Sequence, residues 1–94
     1  MSEADDARIE IRDVPESNRY EIEVDGELAG LADYKLGEAS IAFTHTEVDP
    51  QRGGQGLGSR LIEFAVTDAR SRNLKIHPIC PFVRDWIAEH PEEG

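Results

Sequence analysis

Three features of the chain have residue types and spacings suited to chemistry. The stretch "DPQRGGQGLGSRL", beginning at Asp49, places glycine at positions 53, 54, 56 and 58. Just before it, His45 and Glu47 stand two residues apart in "FTHTEV", and beyond it the only cysteine, Cys80, precedes Pro81 in "HPICPF". A histidine and a carboxylate on alternate residues of a strand share one face, an arrangement that can take a proton from an incoming nucleophile. Histidine is also the side chain whose charge changes near neutral pH. A cysteine between a strand and a helix start sits where the thiolate is favoured. It can serve as a reactive thiol or as a small buried apolar side chain.

The glycines need a reason, because glycine in a helical turn costs about 1 kcal/mol relative to alanine. Directly after them, Leu57, Leu61, Ile62, Ala65 and Val66 recur at helical spacing. A loop entering a helix exposes unpaired backbone N–H groups at the positive end of the helix dipole. Glycines let an anion reach those groups without interference from Cβ atoms, so the loop has the character of a phosphate cradle. Arg60, one turn into the helix, is placed to add a positive charge. Two common cradles are excluded. Gly53 and Gly58 have the spacing of a Walker A loop, but Ser59 stands where that loop needs lysine. A dinucleotide fingerprint begun at Gly54 and Gly56 reaches Ser59 instead of a third glycine, and lies too late in the chain to open a Rossmann unit.

The elements that must position these residues follow from periodicity. Ile9 and Ile11 alternate with charged neighbours, "DVPESN" supplies a turn, and Tyr20, Ile22 and Val24 alternate again. Asp25–Gly26 is a hairpin signal returning through Leu28 to Lys35, and Gly37 marks the next turn. Ala39 to Val48 reads as a longer strand. Its alternation puts Ile41, Phe43, His45 and Glu47 on one face, and Ala42, Thr44, Thr46 and Val48 on the other. The helix runs from about Gly56 to Arg72 with an exposed Asp68–Arg72 pair, and Asn73 stops it. Leu74 to Ile79 forms a short buried strand whose pairing Pro78 cuts early. A last helix has Pro81 near its first position and Phe82, Val83, Trp86 and Ile87 turned inward. The order predicts an α+β domain (α/β type): a mostly antiparallel sheet of about five strands, one right-handed β-α-β crossover and a C-terminal helix. Residues 1–7 read as a disordered acidic tail and 8–94 as a single domain.

Composition limits the partners. Twenty acidic residues against ten basic ones give a formal charge of −10. That charge disfavours nucleic acid and anionic membranes, whose affinity comes from clustered Lys and Arg, and it favours cationic partners or plain solubility. The lone cysteine rules out an internal disulfide and fits a reducing compartment. With no apolar signal region in "MSEADDARIE" and no apolar run of membrane-spanning length, a cytoplasmic location is expected. The three histidines and the cysteine have no metal-ligand spacing, so no metal site is expected.

The stretch "HTEVDPQRGGQGLGSRL" resembles motif A of the GNAT superfamily of acyl-CoA N-acyltransferases, Q/R-x-x-G-x-G/A, with Gln51, Gly54 and Gly56 in register. Taken with "HPICPFVRDWIAEHPE", it is similar to the small YjdJ-like members, which show F-T-H-T-E-V, a glycine loop, and then P-x-C-P-F-V-x-x-[YW]-I-x-x-H-P. The resemblance covers Ile41 to Glu92. Family loops often read R-G-x-G; here Gly53 stands at that arginine's place and Arg52 one position earlier.

The resemblance implies a minimal GNAT fold and acetyl-CoA as cosubstrate. It implies a pyrophosphate held by the backbone of Gln51, Arg52, Gly53, Gly54, Gln55, Gly56, Leu57 and Gly58, with Arg60 nearby. The strand end, Thr46 and Val48, would hold the pantetheine arm. It places Cys80 beside the thioester as acetyl acceptor or as proton donor to the departing CoA, with Glu47 and His45 as candidate bases. The acceptor would be a small-molecule or lysine-type amine. The chain has no room between its first two strands for the helices that build an acceptor pocket in larger relatives. That site is therefore open or completed by a partner, in a monomer or a dimer, and a CoA- or acyl-CoA-binding module without turnover is the alternative.

Overall fold

The computed structural model describes residues 8–52 and 56–90; the expected acidic tail and Gly53, Gly54 and Gln55 lie outside them. The elements run β1 (Ile9–Val14), a 3-10 turn (Pro15–Ser17), β2 (Arg19–Val24), β3 (Glu27–Leu36), β4 (Ser40–Val48), a 3-10 turn (Pro50–Arg52), α1 (Leu57–Ser71), β5 (Lys75–Pro78) and α2 (Pro81–Glu89). The strands form one sheet in the order β1-β2-β3-β4-β5. The first three pairings are antiparallel, and β4 with β5 is parallel, joined across α1. The expected fold class is therefore the observed one.

Local chemistry sets the corners. Asp25 and Gly26 both take positive φ, 52° and 84°, as a two-residue hairpin turn requires. Asn73 closes the helix at φ 60°, a left-handed conformation that asparagine tolerates better than most residues. Pro81 opens α2 at a first-turn position, where a missing N–H costs nothing.

Both helices pack on one face of the sheet. The core joins Tyr20, Ile22, Ala32, Tyr34, Ile41 and Phe43 from the strands to Leu61, Ile62, Ala65 and Val66 of α1 and Val83 of α2. Along α1 the expected apolar stripe is buried throughout, with Gly58 and Ala69 added to it. The inward set expected for α2 is only partly observed. Val83 is fully buried and Trp86 and Ile87 are half-buried, but Phe82 is 44% exposed. Phe82 follows Pro81 in the first turn of α2 and rests over the start of α1 instead of entering the core. The other face of the sheet carries charge: Arg12 pairs with Glu23 at 2.7 Å and Arg19 with Glu21 at 2.9 Å.

A polar clamp fastens the far end of the sheet to the end of α1. The Tyr20 hydroxyl donates to Asp68 and the Tyr34 hydroxyl to Asp13, each at 2.6 Å. Arg72 bridges the two carboxylates, at 3.2 Å from Asp68 and 3.6 Å from Asp13. Asp68 was expected on a merely exposed face; it accepts from a buried tyrosine as well as from Arg72. Burial, reinforced by the hydrogen bond to Asp68, pushes the Tyr20 hydroxyl well above the usual tyrosine range, and burial with Asp13 does the same for Tyr34.

These shifts fix a sign. The unfolded chain loses its tyrosine protons near pH 10 while the fold keeps them, so stability is intact below about pH 10 and falls as the pH rises beyond it. Urea midpoints measured from pH 7 to 11 should show that decline. Tyr20→Phe should cost about 1–2 kcal/mol at pH 7 and flatten the alkaline limb.

Candidate functional site

One extra residue in β4 decides which side chains meet. The β3–β4 register pairs Asp33 with His45 but Tyr34 with Phe43, leaving Thr44 as a β-bulge. The bulge reverses the alternation for the rest of the strand. Ile41 and Phe43 are fully buried under the helices, yet Thr46 and Val48, not His45 and Glu47, continue that face. The strict two-residue alternation expected for Ala39–Val48 is thus corrected: His45 and Glu47 project from the bare face, opposite Asp33 and Leu31. There His45 Nε2 lies 2.8 Å from Glu47 Oε2, both side chains more than half exposed.

Beside the bulge, β4 and β5 part. Their pairing runs from Ser40↔Lys75 to Phe43↔Pro78 and ends there. Pro78 brings no N–H to the ladder. Cys80 N–H then donates to the Phe43 carbonyl at 2.9 Å, and the chain turns into α2 with Cys80 as its N-cap. From Thr44 to Val48, β4 has no strand on its β5 side among the described residues. A backbone edge of that kind, flanked by sheet and helix, is suited to an extended ligand with amide groups of its own.

Cys80 sits at the point of divergence, 7% exposed, with its sulfur 3.5 Å from Thr46 Oγ1. Burial pushes the thiol up, but the Thr46 hydroxyl and the backbone amides of Val83, Phe82 and Thr46 together outweigh it, so the thiol lies below its usual range. The amides at the start of α2 act on the sulfur without closing a capping hydrogen bond. Cys80 and Thr46 are therefore brought together, while His45 and Glu47 form a second pair on the opposite face.

Next to this cleft, α1 begins without a side-chain cap and without an acidic residue in its first turn. Its N-cap is Gly56, at φ 72°, where a Cβ would meet nothing within 4 Å but the backbone is left-handed. Gly58 has a different reason to be glycine. A Cβ there would come within 2.7 Å of Phe82 Cζ and 3.3 Å of Val48 Cγ2, so its bareness lets α2 and β4 close on α1. Asp49 Oδ1 accepts from the Gln51 amide at 2.9 Å, shaping the entry to the loop. Gly53, Gly54 and Gln55, expected in the cradle, lie outside the described residues. Arg60 is exposed on the flank of α1 and lines a hollow of about 460 Å³ with Ile11, Phe64 and Asp68. On the other side of β4, Glu47 and Val48 line a smaller pocket of about 210 Å³ with Leu28 to Leu31. Among the described residues, no group of three or more His, Cys, Asp or Glu side chains is placed to hold a metal ion, and no helix is long and apolar enough to cross a membrane.

Residues 19–93 match the family model described as GCN5-related N-acetyl-transferase. Among solved structures, the chain is similar to a GCN5-like protein from Staphylococcus aureus determined by NMR in solution. The TM-score is 0.65 and the identity 29%, over 85% of this chain and 78% of that one. It shares the fold of ribosomal-protein-alanine N-acetyltransferase from Brucella melitensis biovar Abortus 2308, with TM-score 0.58 and 22% identity over 81% of this chain and 62% of that one. It also resembles part of N-acetylglutamate synthase from Neisseria gonorrhoeae, determined with coenzyme A and N-acetyl-glutamate. There the TM-score is 0.54 and the identity 26%, over 70% of this chain but only 18% of the other. No curated protein matches the sequence.

The two described glycines of the loop region should respond differently to alanine. Gly56→Ala forces a side chain into left-handed backbone and should cost about 1–2 kcal/mol, lowering Tm by roughly 5–15 °C for a domain of this size. Gly58→Ala gains about 1 kcal/mol of helix propensity but crowds Phe82 and Val48, an overpacking cost of about 1–3 kcal/mol, and should lower Tm by less than Gly56→Ala does. Thermal unfolding followed by circular dichroism checks both.

Proposed function

Because the chain belongs to the GCN5-related N-acetyltransferase family, we propose that it transfers an acetyl group from acetyl-CoA to an amine, as a member of the small YjdJ-like subgroup. The observation that carries the reading is the parting of β4 from β5 beside the uncapped start of α1, with a cysteine at the crotch. The pyrophosphate belongs at the loop from Gln51 to Gly58, against the first amides of α1. The pantetheine arm, which has amide groups, belongs along the unpaired edge of β4 around Thr46 and Val48. Its thioester then lies at Cys80.

The reaction needs a neutral amine, a donor to the developing oxyanion and a proton for the departing thiolate. The amine approaches from the bare face, where Glu47, directly or through water, takes its proton and His45 supports that carboxylate. The amine nitrogen bonds to the carbonyl carbon, the carbon–sulfur bond breaks, and CoA leaves as a thiolate. A protonated Cys80 donates to that thiolate. Alternatively its own thiolate first takes the acetyl group, releasing CoA, and then passes it to the amine. The charge of −10 and the carboxylates of Glu47 and Asp33 suit a cationic acceptor such as a lysine side chain or a polyamine. The bare face supports a second reading, a CoA-binding module whose acceptor site is too reduced for turnover.

Titration of labelled protein with acetyl-CoA tests the donor site. Backbone amide shifts should be concentrated at Thr44–Val48, Gly56–Arg60 and Cys80–Val83, and their absence at millimolar ligand would overturn the proposal. Cys80→Ala should leave Kd within about twofold and cut acetyl transfer to amines by about 100-fold, the usual scale of a proton-transfer group. Release of CoA to a thiol reagent reads that rate. Binding without release from the wild type would favour the module.

A further inference from the structure

We propose that Thr46 is the positioning residue for Cys80, its hydroxyl holding the sulfur by a hydrogen bond where β4 and β5 part, accepting from the thiol and donating to the sulfur once it has lost its proton. The use of that sulfur in acetyl transfer rests on the proposed function, but its ionisation state does not.

The geometry begins with the bulge. Continued alternation from Ile41 and Phe43 would send Thr46 to the bare face; the extra residue, Thr44, turns it toward the helices, 3.5 Å from the sulfur. The backbone of Cys80 is pinned on both sides. Its N–H donates to the Phe43 carbonyl at 2.9 Å, and its carbonyl accepts the first helical bond of α2 from Arg84 at 3.0 Å. A side chain on so fixed a backbone has little freedom beyond one rotation, and the Thr46 hydroxyl stands within its reach. A hydroxyl donating to an ionised sulfur stabilises the charge, whereas an alkyl group at the same place only buries it.

Among the described residues, no counter-ion explains the thiol in its place. On β4, His45 and Glu47 project from the opposite face. On β5, exposed His77 shares the face of Ala42, away from Ile41 and Cys80. On α2, Arg84 Nη2 reaches the Ile79 carbonyl at 3.3 Å, and Asp85 lines an outer hollow with Ser59, Trp86 and Glu89. On α1, the first turn holds no acid and Arg60 lies on the far flank. Among the described residues, the hydroxyl and the amides of Thr46, Phe82 and Val83 are the polar groups that act on the sulfur.

Alkylation by iodoacetamide reads the ionisation directly, because only the thiolate attacks: a sulfur–carbon bond forms and iodide leaves. The wild-type rate should rise with a midpoint below the ordinary cysteine value of about 8.5. Thr46→Val keeps the shape and removes the hydroxyl. It should raise that midpoint by about one unit and slow alkylation at pH 7 by about tenfold. Thr46→Ser and Thr46→Ala both lose the methyl group and differ only in the hydroxyl. The serine variant should track the wild type within about twofold and the alanine variant should track valine, which keeps the test decisive if valine disturbs the fold. Superimposable serine and alanine profiles, or a wild-type midpoint at the ordinary value, would overturn the proposal. Acetyl-CoA is absent from the assay, so failure to bind it would sink the proposed function and leave this result standing.

Discussion

The parallel pairing of β4 with β5 stops at Phe43 and Pro78, and the arrangement of the rest of the site depends on that limit. Proline supplies no N–H to the ladder, and Cys80 then spends its own N–H on the Phe43 carbonyl and starts a helix. Two strands that ran on together would leave neither a gap nor an edge. Because they part, β4 keeps a stretch of backbone polar groups between sheet and helix. Groups in that position must find partners in water or in a ligand. The thiol, the uncapped helix start and the bare edge are adjacent because one short strand ends early.

Most of this was legible in the chain itself. Pro78 signals the early end of β5, Asp25–Gly26 the hairpin, Asn73 the helix stop, and the spacing of Leu57, Leu61, Ile62, Ala65 and Val66 the helix that bridges the parallel strands. The bulge at Thr44 was not. In "AFTHTEV" each residue after Phe43 is polar or small enough to sit on either face, so the pattern carries no mark of a change in parity. Sequence spacing therefore grouped His45 and Glu47 with Phe43, when the fold groups Thr46 with it. Phe82 was misplaced for a related reason. A first-turn aromatic in helical register with Trp86 reads as core, and only the bareness of Gly58, a helix away, shows where its ring rests.

The two ends of the domain use polar chemistry in opposite ways. At the far end, tyrosine hydroxyls from β2 and β3, carboxylates from β1 and α1, and Arg72 satisfy one another within a partly buried network. The connection from β1 to β2 is a single 3-10 turn, so β1 has no helix of its own to hold it. The Tyr34–Asp13 and Arg72–Asp13 contacts supply that anchorage. At the near end, polar groups among the described residues are left without such closure: α1 has no side-chain cap, β4 no outer strand beyond Phe43, and His45 and Glu47 bond to each other in the open. A buried network fully satisfied gives rigidity. Unsatisfied groups at the other end are tolerable only because solvent or a ligand can reach them.

What links the start of α1 to the thiol is the contact between the two helices. Gly58 lies one residue into α1, and Phe82 two residues beyond Cys80, so the approach of Phe82 over Gly58 fixes the start of one helix against the start of the other. A second tie lies one turn on, where Trp86 Nε1 donates to Ser59 Oγ at 3.2 Å, and the Trp86 ring is itself stacked on His90. The separation between the first amides of α1 and the Cys80 sulfur is thus set by short contacts between the two helices. A long cosubstrate of the kind proposed, bound at both points, would need that separation to be fixed, and side-chain packing outside the sheet is what fixes it.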